Sequence, residues 1–227
     1  MAAKKAAKRG GKKKAQPADP NGLAIDAAMR LAAVQGWSDT TMADIADEAG
    51  LSLAELRQLF GSKLAILAGL GRMVDEIVLA GSDPGIADEP VRDRLFDVIM
   101  RRLDALAPYR EGLAAVARDL PRDPPAMACL AAGPLRRSLE WMLVAARVEP
   151  WGALEPLQVK GLGLIYLSVL RVWFGDEGED LAHTMAALDK ALGRADALVG
   201  ALRRGPRGLA GWRRREGDGD EAEAAEA

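Results

Sequence analysis

The feature that most constrains this chain is a glycine, Gly50, standing between two short runs that each carry their own helix start signals. Thr40-Thr41 offers a capping hydroxyl to a helix from Met42 to Ala49, and Gly50 sits where a helix stops in the left-handed conformation. Ser52 then caps a second helix, Leu53 to Phe60, and Glu55 completes a capping-box pattern with it. Helices this short are not stable alone. They must pack on each other, and Ile45, Ala46 and Ala49 face Leu51, Leu56 and Phe60 across the turn, the small Ala46 allowing close approach.

The flanking chain supplies what such a pair needs. Leu23 to Gln35 reads as a helix ending at Gly36-Trp37, and Lys63 opens a longer one to about Ala80, with Leu67, Leu70, Val74, Ile77 and Val78 at helical spacing. Gly81 to Asp88, with Pro84-Gly85, is the best boundary. Beyond it come helices over Glu89 to Leu106, Glu111 to Leu120, Ala126 to Val148, Glu155 to Phe174 and Asp180 to Arg204. Gly133-Pro134 is expected to break or kink the third of these. Strand-like runs are absent, aromatic residues are only 4%, and alanine, leucine and arginine dominate, so the class is all-α with about nine helices. The organisation expected is a basic, disordered arm (1–20), a three-helix head with its long following helix (21–80), a helical body (81–204) and a disordered tail (205–227).

The last two helices point to a partner subunit. Leu181, Met185, Leu188, Leu192, Ala195, Val199 and Leu202 step by four and three, a coiled-coil-like seam. The helix before it is apolar on nearly all faces from Leu162 to Phe174, so it must be buried on more than one side. A homodimer meets both demands.

Other classes are disfavoured. The single cysteine, Cys129, cannot make an internal disulfide, and its apolar surroundings (Met127-Ala128-Cys129-Leu130) suggest core packing in a reducing compartment. The N-terminus has no apolar h-region, and Gly161 to Phe174 is too short to span a bilayer, so a cytoplasmic location is expected. An enzyme fares badly: His183 is the only histidine, with no second His or Cys placed to complete a metal set or catalytic dyad, and no strand feeds a phosphate-binding loop. No cofactor or metal is expected.

Two short helices hinged at a glycine, with a third before them, make a helix-turn-helix: one helix braces the DNA backbone and the next lies in the major groove. The run Thr40-Thr41-Met42-Ala43-Asp44-Ile45-Ala46-Asp47-Glu48-Ala49-Gly50-Leu51-Ser52, followed by Leu56, Phe60, Ser62, Lys63 and Leu67, resembles the N-terminal domain of the TetR family. Ala27-Ala28 to Gly36-Trp37 resembles that family's first helix and its Gly-aromatic end. The specific match covers about 23–80. The resemblance implies a dimeric regulator, a repressor released from a double-stranded DNA operator when a small apolar effector enters the body. Carried over by position, Thr41 and Lys63 would touch phosphates, and Ser52, Ala54, Glu55, Gln58 and Leu59 would face the groove. Gln58 suits adenine and Glu55 the N4 amine of cytosine.

There are departures. Arg57 and Leu59 stand where the family commonly has Tyr and His; Arg57 still suits a phosphate. From Leu23 to Lys63 there are three cations (Arg30, Arg57, Lys63) against six acids, a poor balance for a surface that must neutralise phosphates. The seven cations of residues 1–20 offer compensation. This deficit keeps open an alternative. The segments Val91 to Tyr109 and Trp173 to Asp180 also resemble TetR-fold lipid-binding accessory proteins of ubiquinone biosynthesis, which do not bind DNA. In that reading Trp212 and the arginines from Arg203 to Arg215 would touch a membrane. For the effector, Met127, Trp141, Tyr166, Arg171 and Trp173 on body helices are the candidate pocket residues.

Overall fold

A computed structural model describes residues 19–81, 85, 88–178 and 180–204, the last four without their side chains. The expected arm, apart from residues 19 and 20, lies outside the described residues, as do the expected tail, most of the 81–88 boundary loop and the side chain of Leu202. Among the described residues every regular element is helical.

The head begins with α1 (Pro20–Gln35), three residues earlier than the hydrophobic pattern suggests. The cause is local: the Asp19 carboxylate accepts from the Asn21 and Gly22 amides, and Pro20 fills the first turn, where no amide is missed. α2 (Met42–Ala49) and α3 (Leu53–Leu59) follow, then α4 (Lys63–Ala80). Ala24, Ala27, Ala28 and Ala32 are all fully buried, and this alanine face lets α1 lie close to its neighbours. Ile45, Ala46, Leu56 and Phe60 fill the space between α1, α2, α3 and α4.

The body comprises α5 (Val91–Leu106), α6 (Arg110–Asp119), α7 (Pro124–Leu130), α8 (Arg136–Ala145), α9 (Glu155–Trp173) and α10 (Ala182–Arg204). α4 belongs to both halves, packing on α1 at one end and on α5 and α8 at the other. α6 crosses α1 so closely that a Cβ on Gly112 would lie 2.4 Å from the Met29 carbonyl oxygen. Only glycine fits there. One continuous core therefore runs from Ala24 in the head to Leu192 in α10.

Two charged groups tie the body together. Arg102, 4% exposed, pairs with Asp75 of α4 and donates to the Tyr166 hydroxyl, while Ser138 donates to the same Asp75. Arg110 at the start of α6 donates to the carbonyls of Trp173 and Asp176. Asp176, itself buried, caps α10 by accepting from the Thr184 hydroxyl and amide, and these bonds hold its carboxyl below the usual range.

Four expectations change. Of the break or kink expected at Gly133-Pro134, no break occurs: the helix is distorted into a π turn over Ala131–Leu135 that carries the chain from α7 into α8, and the widened ladder absorbs the missing N–H. Cys129 is exposed rather than in the core, because no residue of α7 is buried. The seam of the last helix is partly spent inside the subunit: Leu188 and Leu192 are buried against α5 and α9, whereas Met185 is over a third exposed. Finally, α9 and the 3₁₀ turn before it make a 22-residue helical stretch, Gly152–Trp173, long and apolar enough by composition to cross a membrane, though a third of its 18-residue apolar window is buried in the bundle.

Candidate nucleic-acid interface

The helix-turn-helix is built from reciprocal caps. The Thr41 hydroxyl accepts from the Asp44 amide, and the Asp44 carboxylate accepts from the Thr41 amide at 2.9 Å. Ser52 and Glu55 repeat the arrangement, and Glu55 also accepts from the Ser52 hydroxyl at 2.6 Å. Both carboxyls are thereby held below their ordinary range by the hydroxyls and amides they face. Between the helices Gly50 takes φ 66°, ψ 30°, and its amide closes onto the carbonyls of Ala46 and Asp47. A Cβ is strained in that conformation, so the glycine is required by the turn.

α3 turns one face outward. Ala54, Arg57 and Gln58 are exposed on it, together with Leu53, whose side chain is 58% exposed at the first helical position. Nothing in the sequence around Leu53 marks this apolar residue as outward, because its exposure depends on how α3 packs. Leu59 behaves in the opposite way: it is half-buried against the head's core. Thr41 and Ser52 are exposed at the entries to α2 and α3, but Glu55 has its carboxylate engaged in the Ser52 cap.

Two of the three cations between Leu23 and Lys63 are already engaged. Arg30 pairs with Glu48 at 3.1 Å, joining α1 to α2. Lys63 is folded inward: its ammonium donates to the carbonyls of Trp37 and, at 2.7 Å, Thr40, and lies 4.7 Å from the Trp37 ring centroid. Burial lowers its pKa, while Asp119 and Asp39 pull in the other direction. Arg57 is left as the head's outward cation among the described residues from 23 to 63.

The five candidate effector residues do not converge. Tyr166 and Trp173 are buried in the body core, whereas Met127, Trp141 and Arg171 are exposed. Two clefts flank the α1–α6 crossing instead. One, of about 590 Å³, is lined by Asp26, Met29, Tyr109 and Arg110 among others; the second, of about 430 Å³, by Gly36, Ser38, Asp39 and Asp119. At the first, the Tyr109 hydroxyl donates to Asp26, and its pKa is pushed up to about 12 by burial and by that carboxylate.

Caps, glycine turn, outward α3 and helical body together define a helix-turn-helix protein with a second, larger helical region. Residues 24–70 match the family described as bacterial regulatory proteins, tetR family. The head is thus a TetR-family domain, and the chain takes a TetR-like fold. It is similar to the TetR transcriptional regulator from Nitrosomonas europaea ATCC 19718, with 27% identity and a TM-score of 0.62 over 78% of this chain and 99% of that one. It also shares its fold with a TetR transcriptional regulator from Rhodococcus sp. RHA1, at 18% identity and TM-score 0.56, over 76% and 93% of the two chains. No curated protein matches the chain. These comparisons lend no support to the lipid-binding alternative.

Proposed function

We propose that the chain is a cytoplasmic DNA-binding transcriptional regulator, a repressor released from its operator by a small apolar effector. One observation carries the DNA part: on a TetR-family head, the capped helix α3 presents Ala54, Arg57 and Gln58 outward together. Gln58 would read an adenine edge, Arg57 a phosphate, and Ala54 with Leu53 a thymine methyl. Thr41 and Ser52 add hydroxyls at the two helix entries.

The regulator acts as a homodimer, each protomer supplying one α3 to a half-site. Support comes from the large apolar side chains left exposed on α8, α9 and α10: Trp141, Val144, Leu157, Leu164, Leu167 and Leu198. Leu164 is 73% exposed, a costly position for leucine unless a second subunit covers it. The domain division that goes with this places the DNA-reading head at 21–80 and the effector-binding, dimerising body at 81–204.

Titrating the protein against the duplex upstream of its own coding sequence, at several salt concentrations, tests the reading. A specific complex whose affinity falls steeply with salt is expected. Absence of any preference over a random duplex would sink it. Screening apolar compounds for release of that complex tests the effector.

A further inference from the structure

The turn from Gly36 to Thr41, which delivers the chain into α2, is held from two sides. From the head, Lys63 of α4 donates to the Trp37 and Thr40 carbonyls. From the body, Asp119 at the end of α6 accepts from the Ser38 amide at 3.0 Å. One side chain takes the turn's acceptors and the other takes a donor. Within the turn, the fully buried Thr40 donates its hydroxyl to the Gly36 carbonyl at 2.7 Å.

We propose that Lys63 and Asp119 are positioning residues for DNA binding, which together fix the 36–41 turn and so set where α2 stands against α3 and the DNA. The proposal rests on the DNA-binding reading above. It assigns Lys63 a role other than direct phosphate contact. An ammonium has three donors, and here two are spent on carbonyls beneath an aromatic ring. Asp119 is informative for the opposite reason. An acid beside a surface that meets phosphates weakens binding on charge alone, so its place there is explained by what it holds.

That sign conflict makes the test sharp. Asp39 lies beside Asp119 in the same cleft, is exposed, and has no hydrogen-bond partner among the described residues. On the upstream duplex, Asp39→Ala should tighten binding by removing a repulsive charge. Asp119→Ala should instead weaken it, by roughly tenfold, and Asp119→Asn, which keeps an acceptor without the charge, should recover part of the loss. Lys63→Met should weaken the specific complex while leaving the salt slope unchanged, whereas Arg57→Ala should flatten that slope by about one. Tightening by Asp119→Ala comparable to that of Asp39→Ala, or a Lys63→Met slope flattened by about one, would overturn the proposal.

The clamp is also measurable without DNA. In the full-length protein the Ser38 amide should exchange its hydrogen roughly tenfold faster in Asp119→Ala than in the parent. Unchanged exchange overturns the clamp even if DNA binding is confirmed. If the parent binds no duplex specifically, the DNA reading fails, and faster exchange would then show the clamp to be structural only, which overturns its positioning role.

Discussion

In the head, polar side chains satisfy their own turn: Thr41 with Asp44 and Ser52 with Glu55, each pair three residues apart. In the body, Ser138 reaches Asp75 across 63 residues of sequence and Arg102 reaches Tyr166 across 64. The helix-turn-helix is therefore capped locally and the outer face of α3 is left free for contact, while the 36–41 turn before it is also held from a distance by Lys63 and Asp119. The body is specified by long-range charge pairing inside and leaves apolar surface outside. The two regions should fail differently when perturbed.

The largest effect is expected at Asp75. Asp75→Ala strands the Arg102 charge, 4% exposed, without its partner, and loses the Ser138 acceptor as well. Stability should drop by about 3–5 kcal/mol, read from urea melts. Replacing both partners with apolar residues, Asp75→Leu with Arg102→Met, should recover much of that loss. A double variant as unstable as the single would break the comparison, because the body's cost would then lie in shape rather than in unpaired charge.

Gly112→Ala comes next and strikes the joint between the regions. Its Cβ would meet the Met29 carbonyl at 2.4 Å, and backbone cannot give as a side chain can, so α6 and α1 must separate. A loss of about 1–3 kcal/mol is expected in thermal melts. In the head, Ser52→Ala should cost about 1 kcal/mol, a cap's worth, read in the single melting transition that one continuous core implies.

This contrast also explains what was legible beforehand. Caps and the Gly50 turn act within four residues, so the head's elements could be read directly, down to the Ile45, Ala46, Leu56 and Phe60 core. Other decisions, in the head as well as in the body, are made at a distance. Nothing near Cys129 announces that α7 lies on the surface, and nothing near Lys63 shows that its ammonium turns in toward Trp37 and Thr40. Leu59, expected to face the groove, is half-buried while Leu53 is exposed, because which side of a two-turn helix is buried depends on the placement of α1 and α4, not on its own seven residues. For the effector, residue type alone does not distinguish the buried Trp173 from the exposed Trp141.

The smallest effect concerns a bond that crosses from one region to the other. Tyr109, between α5 and α6, donates to Asp26 of α1 at 2.9 Å, and burial together with that carboxylate keeps its phenol protonated up to about 12. In the unfolded chain a tyrosine ionises near 10. Between those values the unfolded state loses its proton first, so this group's stabilisation is fully present below the window and should be lost as pH rises through it, with no pH dependence from this group below it. Ultraviolet titration of phenolate absorbance should place the Tyr109 transition in Asp26→Asn below that of the parent, yet still above 10, because burial is the larger cause and survives the substitution. A transition unmoved by Asp26→Asn would mean that the head's carboxylate does not reach the body's phenol in solution, and the two regions would then be joined at this edge by packing alone.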